Sequence, residues 1–140
     1  MEFKQFKNTF VIRIDRNEEI VESLTLFCKQ NSIKLASLNG IGAAKNIVTG
    51  YFDSKTKVYN EQAFTDGSYE IASMSGNVAM INNEPVVHLH VVLGDAQRIA
   101  FAGHLKSGVV SLTCEVILQK IEGTVERKKS EEIGLNLFDF

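Results

Sequence analysis

The spacing of apolar positions along the chain changes from strand-like to helical and back, and those changes mark out its elements. Residues Thr9 to Ile14, Thr-Phe-Val-Ile-Arg-Ile, form a β-branched stretch that predicts a strand, with Asp15-Arg16-Asn17 as the following turn. A helix comes next. Asn17 is placed to cap it, Glu18 and Glu19 put negative charge in its first turn, and Ile20, Val21, Leu24, Phe27 and Cys28 recur at helical spacing to about Asn31. Segments 33–38, 46–52, 57–64, 69–81, 86–93 and 109–121 then read as strands separated by Gly, Asn or Asp turns, of which Asn82-Asn83-Glu84-Pro85 is the plainest.

One helix near the start followed by many strands predicts an α+β domain, a mostly antiparallel sheet of six to seven strands with the helix on one face. The 140 residues fit one domain, with a core at about 9–121 and a C-terminal tail at 122–140. In that tail, Glu126-Arg127-Lys128-Lys129-Ser130-Glu131-Glu132 reads as a solvated connector to a segment that docks through Leu135, Leu137, Phe138 and Phe140.

Composition narrows the function classes. The chain is 44% hydrophobic and 23% charged with a single proline, which excludes disorder as a whole-chain state. Its formal charge of -2 lacks the footprint of a protein that neutralises phosphates. The charged start gives no secretory signal and no apolar run approaches the roughly 20 residues of a membrane span, so a soluble cytoplasmic protein is expected. Cys28 and Cys114 lie in apolar patterns without C-x-x-C spacing and read as buried reduced thiols.

All three histidines of the chain fall between positions 88 and 104. His88 and His90 lie two apart in an expected strand, so both imidazoles project from one face, about 7 Å apart at Cβ. His104 follows a turn at Gly94-Asp95 and can return alongside them. Three neutral imidazoles suit zinc, with iron, nickel or copper open, and leave a fourth position for water, a carboxylate or a ligand. A ligating histidine usually gives its second N–H to a carboxylate or carbonyl, which makes Asp95 and Glu115 candidates. Gly40-Ile41-Gly42-Ala43-Ala44 lacks the third glycine of a dinucleotide fingerprint and predicts a tight turn or a close backbone approach. Neither a Gly-x-Ser-x-Gly elbow nor an aromatic platform interleaved with basic residues occurs.

Taken in order, several short motifs resemble the plant-and-prokaryote-conserved (PPC, or PCC) domain family, as a stand-alone member, from about Phe10 to Ile121. They include Gly50-Tyr51-Phe52-Asp53, Ser73-Met74-Ser75-Gly76-Asn77, Pro85-Val86-Val87-His88-Leu89-His90, Gly103-His104-Leu105 and Thr113-Cys114-Glu115-Val116. The resemblance implies a homotrimer with a metal, zinc foremost, held near the subunit interface by residues matching His88, His90 and His104. It also implies a DNA-binding label that belongs to the AT-hook of the plant members, whose Arg-Gly-Arg-Pro core is absent from this sequence. The plant partner-contact segment corresponds to the stretch containing Gly67, Tyr69, Glu70 and Ile71, without the family's arginine.

Three functions follow from these readings. The first is a trimeric metal-binding module with an unknown protein or small-molecule ligand and no intrinsic affinity for duplex DNA. The second is a metal-dependent enzyme of hydrolase type, with Glu115 or Asp95 as base and Arg13 stabilising an anion. The third is a DNA-associated regulator in which Arg127, Lys128 and Lys129 of three subunits combine.

Overall fold

The computed structural model describes all 140 residues. Eight strands and one helix follow in the order β1 (Glu2–Phe6), β2 (Thr9–Ile14), α1 (Ile20–Gln30), β3 (Ala36–Asp53), β4 (Val58–Ile81), β5 (Glu84–Gly94), β6 (Ala100–Lys120), β7 (Glu126–Lys129) and β8 (Asn136–Asp139). Every strand pairing is antiparallel except one parallel bridge between β4 and β7 at Met80 and Glu126. The fold is therefore α+β, as the chain's patterning predicts.

Strand β2 and the buried stripe of the helix match the pattern of the sequence. Ile20, Leu24, Phe27 and Cys28 are buried, and the helix lies against β5 and β6. Burying side chains of that size contributes roughly 1.5–3 kcal/mol each relative to exposure. Its cap differs from expectation: Glu19, not Asn17, is the N-cap, and its carboxylate accepts from the Glu22 amide at 2.5 Å. Asn17 instead takes the left-handed conformation at φ 71°, a turn geometry that asparagine tolerates better than most residues. The other Glu19 oxygen accepts from the Gly108 amide at 2.8 Å, which ties the helix start to β6.

Two pairs of expected strands are single long strands. Segments 33–38 and 46–52 merge into β3, and segments 57–64 and 69–81 merge into β4. The glycines and asparagines that signal turns mark bulges instead, with register shifts at Gly40/Gly42 and Lys45/Ile47. At Gly40 the reason is a close approach: an added Cβ would lie 2.7 Å from the Glu115 carbonyl oxygen on β6. This is the close backbone approach that the Gly-Ile-Gly spacing predicts.

β3, β4, β5 and β6 each pair with two others of the four and close a ring, while β1 and β2 extend the sheet beyond β6. The core draws on β2, the helix and the ring strands, with Ile12, Ile14, Phe27, Met74, Leu89 and Leu118 all nearly fully buried. Both cysteines are free and buried, and desolvation pushes each thiol up to about 12.

The charge-dense stretch is not a solvated connector. Its first four residues form β7, which pairs with β8 in a terminal hairpin, and Arg127 is half-buried against β4 and β5. The docking residues divide as well. Leu135 and Leu137 line a cleft and Phe138 lies beneath Arg127, whereas Phe140 is fully exposed.

Candidate metal centre

His88 and His90 alternate with buried Leu89 on β5, so the strand's pleat sends both rings away from the core. His104 sits directly across from His90 in the β5–β6 ladder. Register does the rest. The ring centroids lie 4.9 Å apart for His88 and His104, 5.2 Å for His88 and His90, and 5.6 Å for His90 and His104. One ring nitrogen from each falls within 4.8 Å of the other two.

Glycines admit this crowding. Gly76 on β4 stands beside the His88 carbonyl, where an added Cβ would collide with backbone. At Gly50, opposite His104, the missing side chain leaves room for the Tyr59 ring, which meets the His104 ring edge-on at 6.1 Å. The rings open into a cleft of about 750 Å³ walled by Tyr51, Phe52, Val86, Leu135 and Leu137.

Electrostatics favour the neutral form of His88 and His104. Desolvation, followed by His104, Arg127 and His90, pushes His88 down to about 4, and desolvation with His90 lowers His104. A divalent cation needs unprotonated nitrogens, and at neutral pH His88 already offers one. The donor set therefore fits a borderline-soft transition metal such as zinc, which takes imidazole nitrogen readily. No carboxylate lines the cleft.

Residues 1–122 match the Plants and Prokaryotes Conserved (PCC) domain. The chain belongs to the PCC family.

Solved PCC-like structures superpose closely. A proposed DNA-binding protein of Bacteroides thetaiotaomicron is 32% identical, with a TM-score of 0.96 over 99% of this chain and 96% of its own. A plant- and prokaryote-conserved protein of Pyrococcus horikoshii is 38% identical, with a TM-score of 0.89 and coverage of 99% and 95%. A metal-containing protein of Archaeoglobus fulgidus is 34% identical, with a TM-score of 0.89 and coverage of 99% and 97%. No curated protein matches the sequence.

Other expected site residues of this PCC chain lie elsewhere. Arg13 and Glu115 face each other across the β2–β6 ladder in a second groove, and His104 is eleven residues from Glu115 along β6. Arg13 pairs with Glu2 at 3.1 Å and Asp15 at 2.9 Å. Asp95 closes the β5–β6 turn, accepting from the Ile99 amide at 2.8 Å. Neither acid lines the histidine cleft, so neither supports a histidine ring: each is held by the turn or ladder where it sits.

Of the expected partner-contact residues, Tyr69 and Ile71 are buried in this chain's own core, with the Tyr69 hydroxyl donating to Asp66 at 2.7 Å. Gly67 and Glu70 are exposed.

Sequence reasoning missed Arg127 as a site residue. Its Nη2 donates to Asn77 Oδ1 at 2.7 Å and to His88 Nδ1 at 3.3 Å, and its Nη1 donates to the Asn136 carbonyl at 3.0 Å. The guanidinium lies 4.4 Å over the Phe138 ring, and its Nε is buried without a partner. Lys128 and Lys129, which follow it in β7, are exposed. The available signal was period two within the charge run, which turns Arg127 to one face and Lys128 to the other.

Proposed function

We propose that this PCC protein is a homotrimeric metal-binding module of the cytoplasm, in which His88, His90 and His104 hold a divalent transition metal, zinc foremost. One observation carries the reading: three imidazole nitrogens within 4.8 Å of one another in a cleft without carboxylates. The 34% identical A. fulgidus protein described as metal-containing supports it. Bound zinc would supply a Lewis-acidic open position for a ligand.

Support for the trimer comes from the groove around Arg13. Phe3, Phe6, Val11, Ile41 and Ile117 are large apolar side chains left exposed in it, more than a lone domain usually leaves clustered. On this reading residues 9–121 form the core of a single domain and the β7–β8 tail closes the histidine cleft.

The DNA-binding description of the B. thetaiotaomicron protein carries over weakly. Arg127 is turned into the cleft and the formal charge is -2, so direct duplex affinity is not expected. Hydrolysis with Glu115 or Asp95 as base loses its base, because neither lines the cleft.

Metal analysis of purified wild type against His90→Ala tests the proposal. About one transition metal per wild-type chain and a severalfold lower content in the variant are expected, and two metal-free preparations after zinc loading would overturn it.

A further inference from the structure

Arg127 is the one charged side chain lining the histidine cleft, and it lies beyond the residues that match the PCC domain. It forms no ion pair. No carboxylate lines the cleft beside it, and its buried Nε has no acceptor. Arg13 in the other groove has two carboxylate partners, so the contrast is specific to this position.

The contact with His88 makes the guanidinium conditional on what else the histidine holds. A neutral imidazole has one lone pair, and arginine can only donate. With Arg127 Nη2 donating to Nδ1, that lone pair is committed there. A cation bound to His88 must take the same lone pair, either at Nδ1 or, after the proton moves, at Nε2. In both cases Arg127 keeps its bonds to Asn77 and the Asn136 carbonyl but loses His88 as an acceptor, which frees one Nη2 N–H beside the histidines.

A loaded cleft then carries a divalent cation and a guanidinium side by side, with no acid among its lining residues. Two positive groups sharing a partly desolvated space repel strongly unless an anion lies between them. A guanidinium fork matches carboxylate and phosphate oxygens. The walls add a second requirement, because Tyr51, Phe52, Val86, Leu135 and Leu137 present mostly apolar surface.

The geometry points to Arg127 as the oxyanion anchor for a small organic acid, a carboxylate or phosphate monoester with an apolar body, bound between the histidine centre and the β7–β8 hairpin. This rests on the three histidines holding a metal.

Calorimetric titration with mandelate, phenyl phosphate and neutral mandelamide tests it on cobalt-loaded and metal-free protein. At least one acid is expected to bind the loaded wild type, with the acid that binds distinguishing carboxylate from phosphate. Arg127→Met should weaken that binding at least tenfold at unchanged cobalt content and Arg127→Lys by less, while mandelamide should bind at least tenfold more weakly than mandelate if mandelate binds. Equal binding by Arg127→Met and wild type, mandelamide matching mandelate, or no heat from either acid would overturn the anchor.

Wild type that takes up no cobalt would remove the metal reading instead. The metal-free titration still decides Arg127 in that event: acid binding lost in Arg127→Met upholds the anchor, and binding that is absent or unchanged overturns it. Arg127→Lys, which keeps a donor for Asn77, separates lost binding from a lost hairpin if the Met variant melts early.

Discussion

The histidine cleft and the groove around Arg13 have the same volume, about 750 Å³, and handle charge in opposite ways. The groove is lined by Glu2 and Glu115 against Lys4 and Arg13, its charges are exposed, and its floor is apolar. Balanced charge over an apolar floor suits another protein surface, where unpaired charge would be costly. The cleft has one guanidinium, three imidazole rings and no acid. Its imbalance is what a site for an ion and its ligand requires. Volume alone would not distinguish the two; the sign and partnering of the side chains does.

Disrupting the groove should have the largest effect. Ile117→Glu puts a charge on the apolar floor, and we expect the proposed trimer to give way to monomer by light scattering at micromolar concentration, with metal content per chain matching the wild type. A trimer that survives both this change and Phe6→Ser would assign the groove another role.

Next in size is Gly76→Ala. The added Cβ meets the His88 carbonyl, and backbone cannot yield as a flexible side chain can, so overpacking of about 1–3 kcal/mol is expected. Thermal unfolding would show a midpoint lowered by several degrees, together with weaker metal uptake. An unchanged midpoint would mean that β4 and β5 separate freely there.

Acid should affect the cleft more gently. His88 is kept neutral in the fold, with its pKa lowered to about 4 against an ordinary value of 6.5. Because the unfolded chain takes up that proton first, this contribution to stability is whole above pH 6.5 and is lost as pH falls toward 4. Metal-free wild type should therefore lose a few degrees of thermal midpoint across that window relative to His88→Asn. Parallel pH profiles for the two proteins would contradict the assignment to His88.

Arg13→Ala marks the small end. Its ion pairs are exposed, so a change within about 0.5 kcal/mol and no change in metal content are expected by denaturant titration and metal analysis. A large loss of metal would reconnect the two regions that the structure keeps apart.

Much of this arrangement was legible in the sequence. The histidine pair needed only the period of a strand, and β2 and the helix stripe followed from local patterning that the core agrees with. The bulged strands were harder, because Gly40, Gly42 and Asn46 carry turn chemistry and the sheet uses it to bend without breaking. Strand β1 was hidden for another reason: Glu-Phe-Lys-Gln-Phe is exposed throughout in the single chain, so no burial pattern announces it. Arg127 stayed hidden because a run of charges predicts solvation, and only the pairing of β7 with β8, together with its bridge to β4, shows which charge turns inward.

The positions of these groups also separate two kinds of attachment. His88, His90 and His104 lie on two strands joined by one short connection, whereas Arg127 belongs to a hairpin that meets the sheet through a single bridge to β4. Fraying of that hairpin would withdraw the guanidinium from the His88 lone pair while the β5–β6 ladder still holds the three imidazoles together. The group that competes for the histidine is thus hung on the looser part of the fold.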